Sequence, residues 1–165
     1  MKLRRLFRHL GFAPWRVRRA FPPAAMALIA AAFGAGEQGH SGEIRVAVEG
    51  ALEPLALLRG QTAHERALEV FAQLRVWDTA YNNGVLIYVL MADHAVEIVA
   101  DRGIHGRADG ATWQGICRQV EAAFAQGGYP QGMALGVEAV AKVLLRHFAG
   151  AGANPDELPN IPVLL

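Results

Sequence analysis

Six oxygen-bearing side chains stand where the chain changes direction: Glu49, Asp78, Asn82, Asn83, Asp101 and Asp109. Carboxylates and amide carbonyls are hard donors, and a set of this kind suits calcium or magnesium and not zinc. Asp78, Asp101 and Asp109 are the candidate metal ligands, supported by Asn82, Asn83, Gly84, Arg102, Gly103 and Glu49. If the site is catalytic, the cation would polarise a phosphoryl oxygen and deliver water, with Arg102 balancing phosphate charge. Each residue also has an ordinary structural role. Asp78 can end a helix, Asn82 and Asn83 can shape a turn, and Asp109 can cap one.

Other chemistry is poorly served. Gly103, Gly106 and Gly110 fall between a strand and a helix but match neither the dinucleotide fingerprint nor the lysine-bearing phosphate loop. Asp109 at the next helix start would oppose a phosphate there. His64-Glu65 opens like a zinc helix, yet no second histidine follows four residues on. Cys117 is the single cysteine, which excludes an internal disulfide and a thiolate cluster. Its neighbours at helical spacing (Trp113, Val120 and Phe124) make it a small buried hydrophobe.

The elements that must position these residues are legible from periodicity. The run Val85 to Met91 is continuously apolar, as in a strand covered on both faces, and Ala95 to Ala100 resumes it after a bend at Asp93-His94. Asn83-Gly84 is a turn dipeptide at the entry. Glu43 to Glu49 alternates and predicts a half-buried strand. Pro22-Pro23 starts a first helix, after which "GEQGHSG" is a turn. Thr62 caps a second helix, and residues 111–126 and 131–148 form two more. Gly50 to Gly60 reads as a loop, and "GANPDELPNIPVLL" as an extended tail. The predicted class is α/β, a three-layer α/β/α sandwich around a small mixed sheet.

The chain has 165 residues, 53% of them apolar, and can bury a core as one domain. Its net charge of +1 conceals an asymmetry. Residues 1–19 carry seven cations and no acid, which leaves residues 20–165 at a net of −6. The predicted organisation is a basic arm over 1–19, an α/β domain over 20–148 and a tail over 149–165. Leu3, Leu6, Phe7 and Leu10 give the arm an amphipathic pattern suited to peripheral membrane contact through residues 2–19. Alternatively the arm folds back on its own acidic body. Nucleic-acid binding ranks last, because only Phe7, Phe12 and Trp15 offer stacking surfaces. Because it lies outside the α/β pattern, the arm is expected to be dispensable for folding. The apolar stretch Ala20 to Ala35 is short of the roughly 20 residues that span a bilayer. The expected location is cytoplasmic, peripheral at the inner face of the membrane, with secretion as the alternative.

The run "LRVWDTAYNNGVLIYVLMADHAVEIVADRGI", followed by "TWQGI", "AAFAQGGYPQGMALGVEAV" and "ELPNIPVLL", resembles the TPM domain family. "FPP" and "HSGEIR" resemble its branch with a basic start. The matching positions are Asp78, Asn83 and Gly84 in the turn, Asp101 and Gly103 at the exit, and Asp109 before the helix. The resemblance implies an α/β/α sandwich, phosphatase-like in a plant chloroplast member involved in photosystem repair. It also implies calcium binding or an accessory role at membrane assemblies, as in other members. The chain departs from many relatives in lacking a clear cleavable signal and a transmembrane helix after the domain. It also carries Gly106-Arg107-Ala108 where relatives often have an acidic-leucine segment. The expectation is a carboxylate-lined divalent-cation pocket with slow phosphomonoesterase activity on a phosphorylated substrate. The alternative is a non-catalytic accessory domain acting on a protein partner or membrane.

Overall fold

The computed structural model describes residues 2–36, 39–149 and 158–165. In chain order, α1 (Lys2–Leu10), α2 (Trp15–Ala20) and α3 (Pro23–Gly36) precede β1 (Glu43–Glu49), α4 (Pro54–Arg59) and α5 (Ala63–Gln73). There follow β2 (Gly84–Leu90), β3 (Ala95–Ala100), α6 (Arg102–His105), α7 (Gly110–Ala125), α8 (Tyr129–Phe148) and β4 (Val163–Leu164). The sheet order is β3-β2-β1-β4, with β1 parallel to both β2 and β4, and β2 antiparallel to β3. Helices cover both faces, as the sequence predicts.

The alternation of β2 side chains divides the interior in two. Val85, Ile87 and Val89 join Ile44, Val46 and Val48 in a core closed by α3, α7 and α8, including Ile29, Phe33, Val120 and Leu144. Leu86, Tyr88 and Leu90 point the other way, toward Leu57 of α4 and Ala67 and Val70 of α5. Every residue of β2 is buried, which fits its uninterrupted apolar run. The β2–β3 bend is a 3-10 turn over Met91–Asp93, with His94 left-handed at φ 54°.

Several predicted features need correction. The strand β1 is buried along its whole length, not half-buried. Its polar residues go inside because each finds a partner. Arg45 Nη1, for example, donates to the carbonyls of Pro159 and Ile161. The supposed loop 50–60 contains α4, whose Pro54 suits a first helical turn and whose Gly60 ends it at φ 84°. The tail is not merely extended, since Val163 and Leu164 pair with Ala47 and Val48. Residues 150–157 of that tail, and residues 37–38 of the turn after α3, lie outside the described residues.

The arm is docked on the domain. Asp93 accepts from Arg5 Nε at 2.9 Å and Nη2 at 2.7 Å, from Arg8 Nη2, and from His9 Nε2 at 3.0 Å. His9 is buried, and its Nδ1 accepts the Leu52 N–H at 3.0 Å, which places the ring proton on Nε2. Val17 of α2 enters the larger core.

Candidate functional site

At the start of β2 the chain makes a tight polar corner with the end of β3. The Asp101 N–H donates to the Gly84 carbonyl, and the Gly103 N–H donates to the Asn82 carbonyl. The left-handed residue is Asn82, at φ 51°, and not the Asn83-Gly84 dipeptide. Gly84 is required for space instead. A Cβ there would lie 1.9 Å from the Val76 carbonyl oxygen, and one on Gly103 would lie 2.4 Å from that of Asn82. These two glycines let three backbone segments converge.

Asn83 is fully buried and ties the corner to the chain before β1 through Nδ2, which donates to the Ser41 carbonyl at 2.7 Å. Asp101 is buried and caps α6, its Oδ1 accepting the Arg102 N–H at 2.7 Å. The remaining oxygens, Asn83 Oδ1 and Asp101 Oδ2, are buried with no hydrogen-bond donor among the described residues. Buried oxygens of this sort are uncommon, because leaving one unsatisfied costs about 1–3 kcal/mol. Arg102 is exposed, and its Nε and Nη2 both donate to Asn82 Oδ1, at 3.2 and 3.1 Å.

Asn82, Asn83, Gly84, Asp101, Arg102 and Gly103 are therefore brought together. The acids are less concentrated than their positions in the chain suggested. Asp78 is exposed on the loop leading to the corner. Asp109 is the N-cap of α7, its Oδ1 accepting from the Thr112 N–H at 2.7 Å and hydroxyl at 2.6 Å, which hold its carboxyl below the usual range. No group of three or more His, Cys, Asp or Glu side chains among the described residues is placed to hold a metal ion.

Glu49 is at the opposite end of the sheet. Parallel pairing sets Glu43 beside Gly84 and Glu49 beside Leu90, so Glu49 lies about 20 Å along the strands from the corner. There Glu49 Oε2 accepts from Tyr88 Oη at 2.7 Å and from Arg66 Nε at 2.8 Å. Burial and the neighbouring carboxylate push the Tyr88 phenol up, and the Glu49 bond raises Arg66. Glu49 and Arg66 of this network line a cleft of about 800 Å³ between α4 and α5, beyond the carboxyl end of β1. Sequence reasoning missed both the cleft and the Asp93 anchor, since their partners lie 17 to 88 residues apart in the chain. Cys117 is half-buried, and burial together with Glu97 and Glu121 pushes its thiol up to about 12, which does not suit a nucleophile.

Taken together, these features define a mixed-sheet α/β/α module with its polar corner where the start of β2 meets the end of β3. The family model described as "TPM domain" matches residues 19–143, and the chain belongs to that family. The fold is similar to the NMR structure of the BA42 protein from the psychrophilic bacterium Bizionia argentinensis, at 31% identity and TM-score 0.74, covering 86% of this chain and 92% of that one. It is also similar to the solution structure of the N-terminal domain of a P. gingivalis protein, at 23% identity and TM-score 0.59, covering 78% and 81%. No curated protein matches the chain.

Proposed function

We propose that this TPM domain is a divalent-cation-binding accessory module whose cation sits at the corner between the start of β2 and the end of β3. The observation that supports it is the pair of buried oxygens, Asn83 Oδ1 and Asp101 Oδ2, without a protein donor among the described residues. A carboxylate and an amide carbonyl suit calcium or magnesium, and magnesium commonly takes one or two carboxylates and keeps water in the remaining positions. Asp78 stands on the same loop as a further carboxylate, whereas Asp109 is occupied by its cap. A bound cation would supply charge to polarise a phosphoryl oxygen. The corner favours binding over phosphomonoester hydrolysis because the Arg102 guanidinium is held by Asn82 and the carboxylates are dispersed.

Thermal melting with added calcium or magnesium tests this reading. At ten times the dissociation constant, stability rises by about 1.4 kcal/mol, a shift of about 3–5 °C for a chain of this size. Asp101→Asn keeps a capping oxygen and the fold but abolishes the shift. An unchanged melting temperature at saturating cation would overturn the proposal. Cation-dependent hydrolysis of an aryl phosphate that disappears in Asp101→Asn would replace the accessory role with an enzymatic one.

A further inference from the structure

The arm helix α1 turns Arg5 and His9 inward, beside a Leu6 that packs partly against the smaller core. At 100° per residue, Arg5 and His9 share one side of α1, and Leu3, Phe7 and Leu10 lie roughly opposite. The Arg5–His9 side is turned toward Asp93 and Leu52. Leu3 is consequently 68% exposed, Phe7 66% and Leu10 58%. An amphipathic helix on a soluble domain ordinarily does the reverse, burying its apolar stripe. The neighbouring α4, which α1 touches, adds exposed Leu55 and Leu58, and α2 adds exposed Trp15. Leu3, Phe7 and Leu10 form an exposed apolar stripe along one side of α1, the kind of surface that something else covers.

Charge identifies what covers it. Arg5 and Arg8 are engaged by Asp93, while Arg4, Arg16, Arg18 and Arg19 are exposed on the same two helices, in an arm without an acid. Arg19 lies over the ring of Trp15 at 5.9 Å. Leucine, phenylalanine and tryptophan interleaved with arginine is the composition of helices that lie in the plane of an anionic bilayer surface. The acidic remainder of the chain, at a net of −6, is the wrong sign to bind such a surface. We infer that α1 and α2 form a docking face for an anionic lipid bilayer. The apolar stripe inserts at the headgroup boundary and the arginines lie against lipid phosphates. Asp93 acts as the clasp that holds the polar side of α1 to the domain. Among the described residues no helix is long and apolar enough to cross a membrane, so this contact is peripheral.

Flotation of the full chain with phosphatidylcholine vesicles, with and without phosphatidylglycerol, tests the inference. Binding is expected to the phosphatidylglycerol vesicles only, with release at high salt as the charges are screened. Phe7→Asp alters an exposed side chain, so folding is retained, and it should weaken binding about tenfold or more. Absence of wild-type binding to the phosphatidylglycerol vesicles would overturn the inference, as would binding that Phe7→Asp leaves unchanged. A dimer in solution that Phe7→Asp dissolves, without vesicle binding, would assign the face to a second copy of the chain and equally overturn it.

Discussion

Asp93 shows how one carboxylate decides the placement of a whole helix. Burial would push its carboxyl up, but bonds from Arg5, His9 and Arg8 outweigh that and hold it at about 2, against an ordinary 3.8. A depressed carboxyl stabilises the fold above its unfolded value, and that contribution disappears as pH falls through the folded value. The Asp93 contribution is thus complete above about pH 4 and is lost toward pH 2. Amide hydrogen exchange should show α1 and Leu52 opening across this window while β2 stays protected. Asp93→Asn should produce the same local opening at neutral pH and lower stability by about 2 kcal/mol. Retention of full α1 protection in acid would contradict this account of the anchor. From the sequence, Asp93-His94 was legible as a bend but not as an anchor, because the partners stand 84 to 88 residues away.

Among the elements, those defined by local periodicity were legible and those defined by partners were not. The apolar run of β2 and the Thr62 cap of α5 follow from neighbours in the chain. The alternation of β1 predicted a wet face that does not exist, because Arg66, Tyr88 and the Pro159 and Ile161 carbonyls satisfy its polar residues from afar. A two-residue strand such as β4 carries no periodicity to read. The corner was legible in composition, yet its geometry depends on close backbone approach. Gly84→Ala, which would drive a Cβ to 1.9 Å from the Val76 oxygen, should cost about 3 kcal/mol or more. Gly106→Ala meets nothing within 4 Å and should stay within about 0.5 kcal/mol of the parent. Chemical denaturation of the two variants compares them directly, and equal stabilities would refute the crowding at the corner.

At the scale of the molecule, the basic arm lies on its own domain, the alternative the sequence left open beside membrane contact. Its dispensability for folding is expected because it lies outside the α/β pattern, yet His9 and Val17 are buried in the domain. Deleting residues 1–19 should therefore lower the melting temperature by several degrees, since it removes the Asp93 cluster and a core valine together. An unchanged melting temperature would show that the arm docks without stabilising. The arm and the corner occupy opposite ends of the sheet: Asp93 follows Leu90 at the end of β2, and Asn83 precedes Gly84 at its start. Cation binding at one end should accordingly leave the other undisturbed. Backbone amide NMR during a calcium or magnesium titration tests the central claim most directly. The account predicts saturable shifts at Asn83, Gly84, Asp101 and Arg102, with His9 and Leu52 unmoved and the same titration silent in Asp101→Asn. Resonances at the corner that stay still through millimolar cation would contradict it.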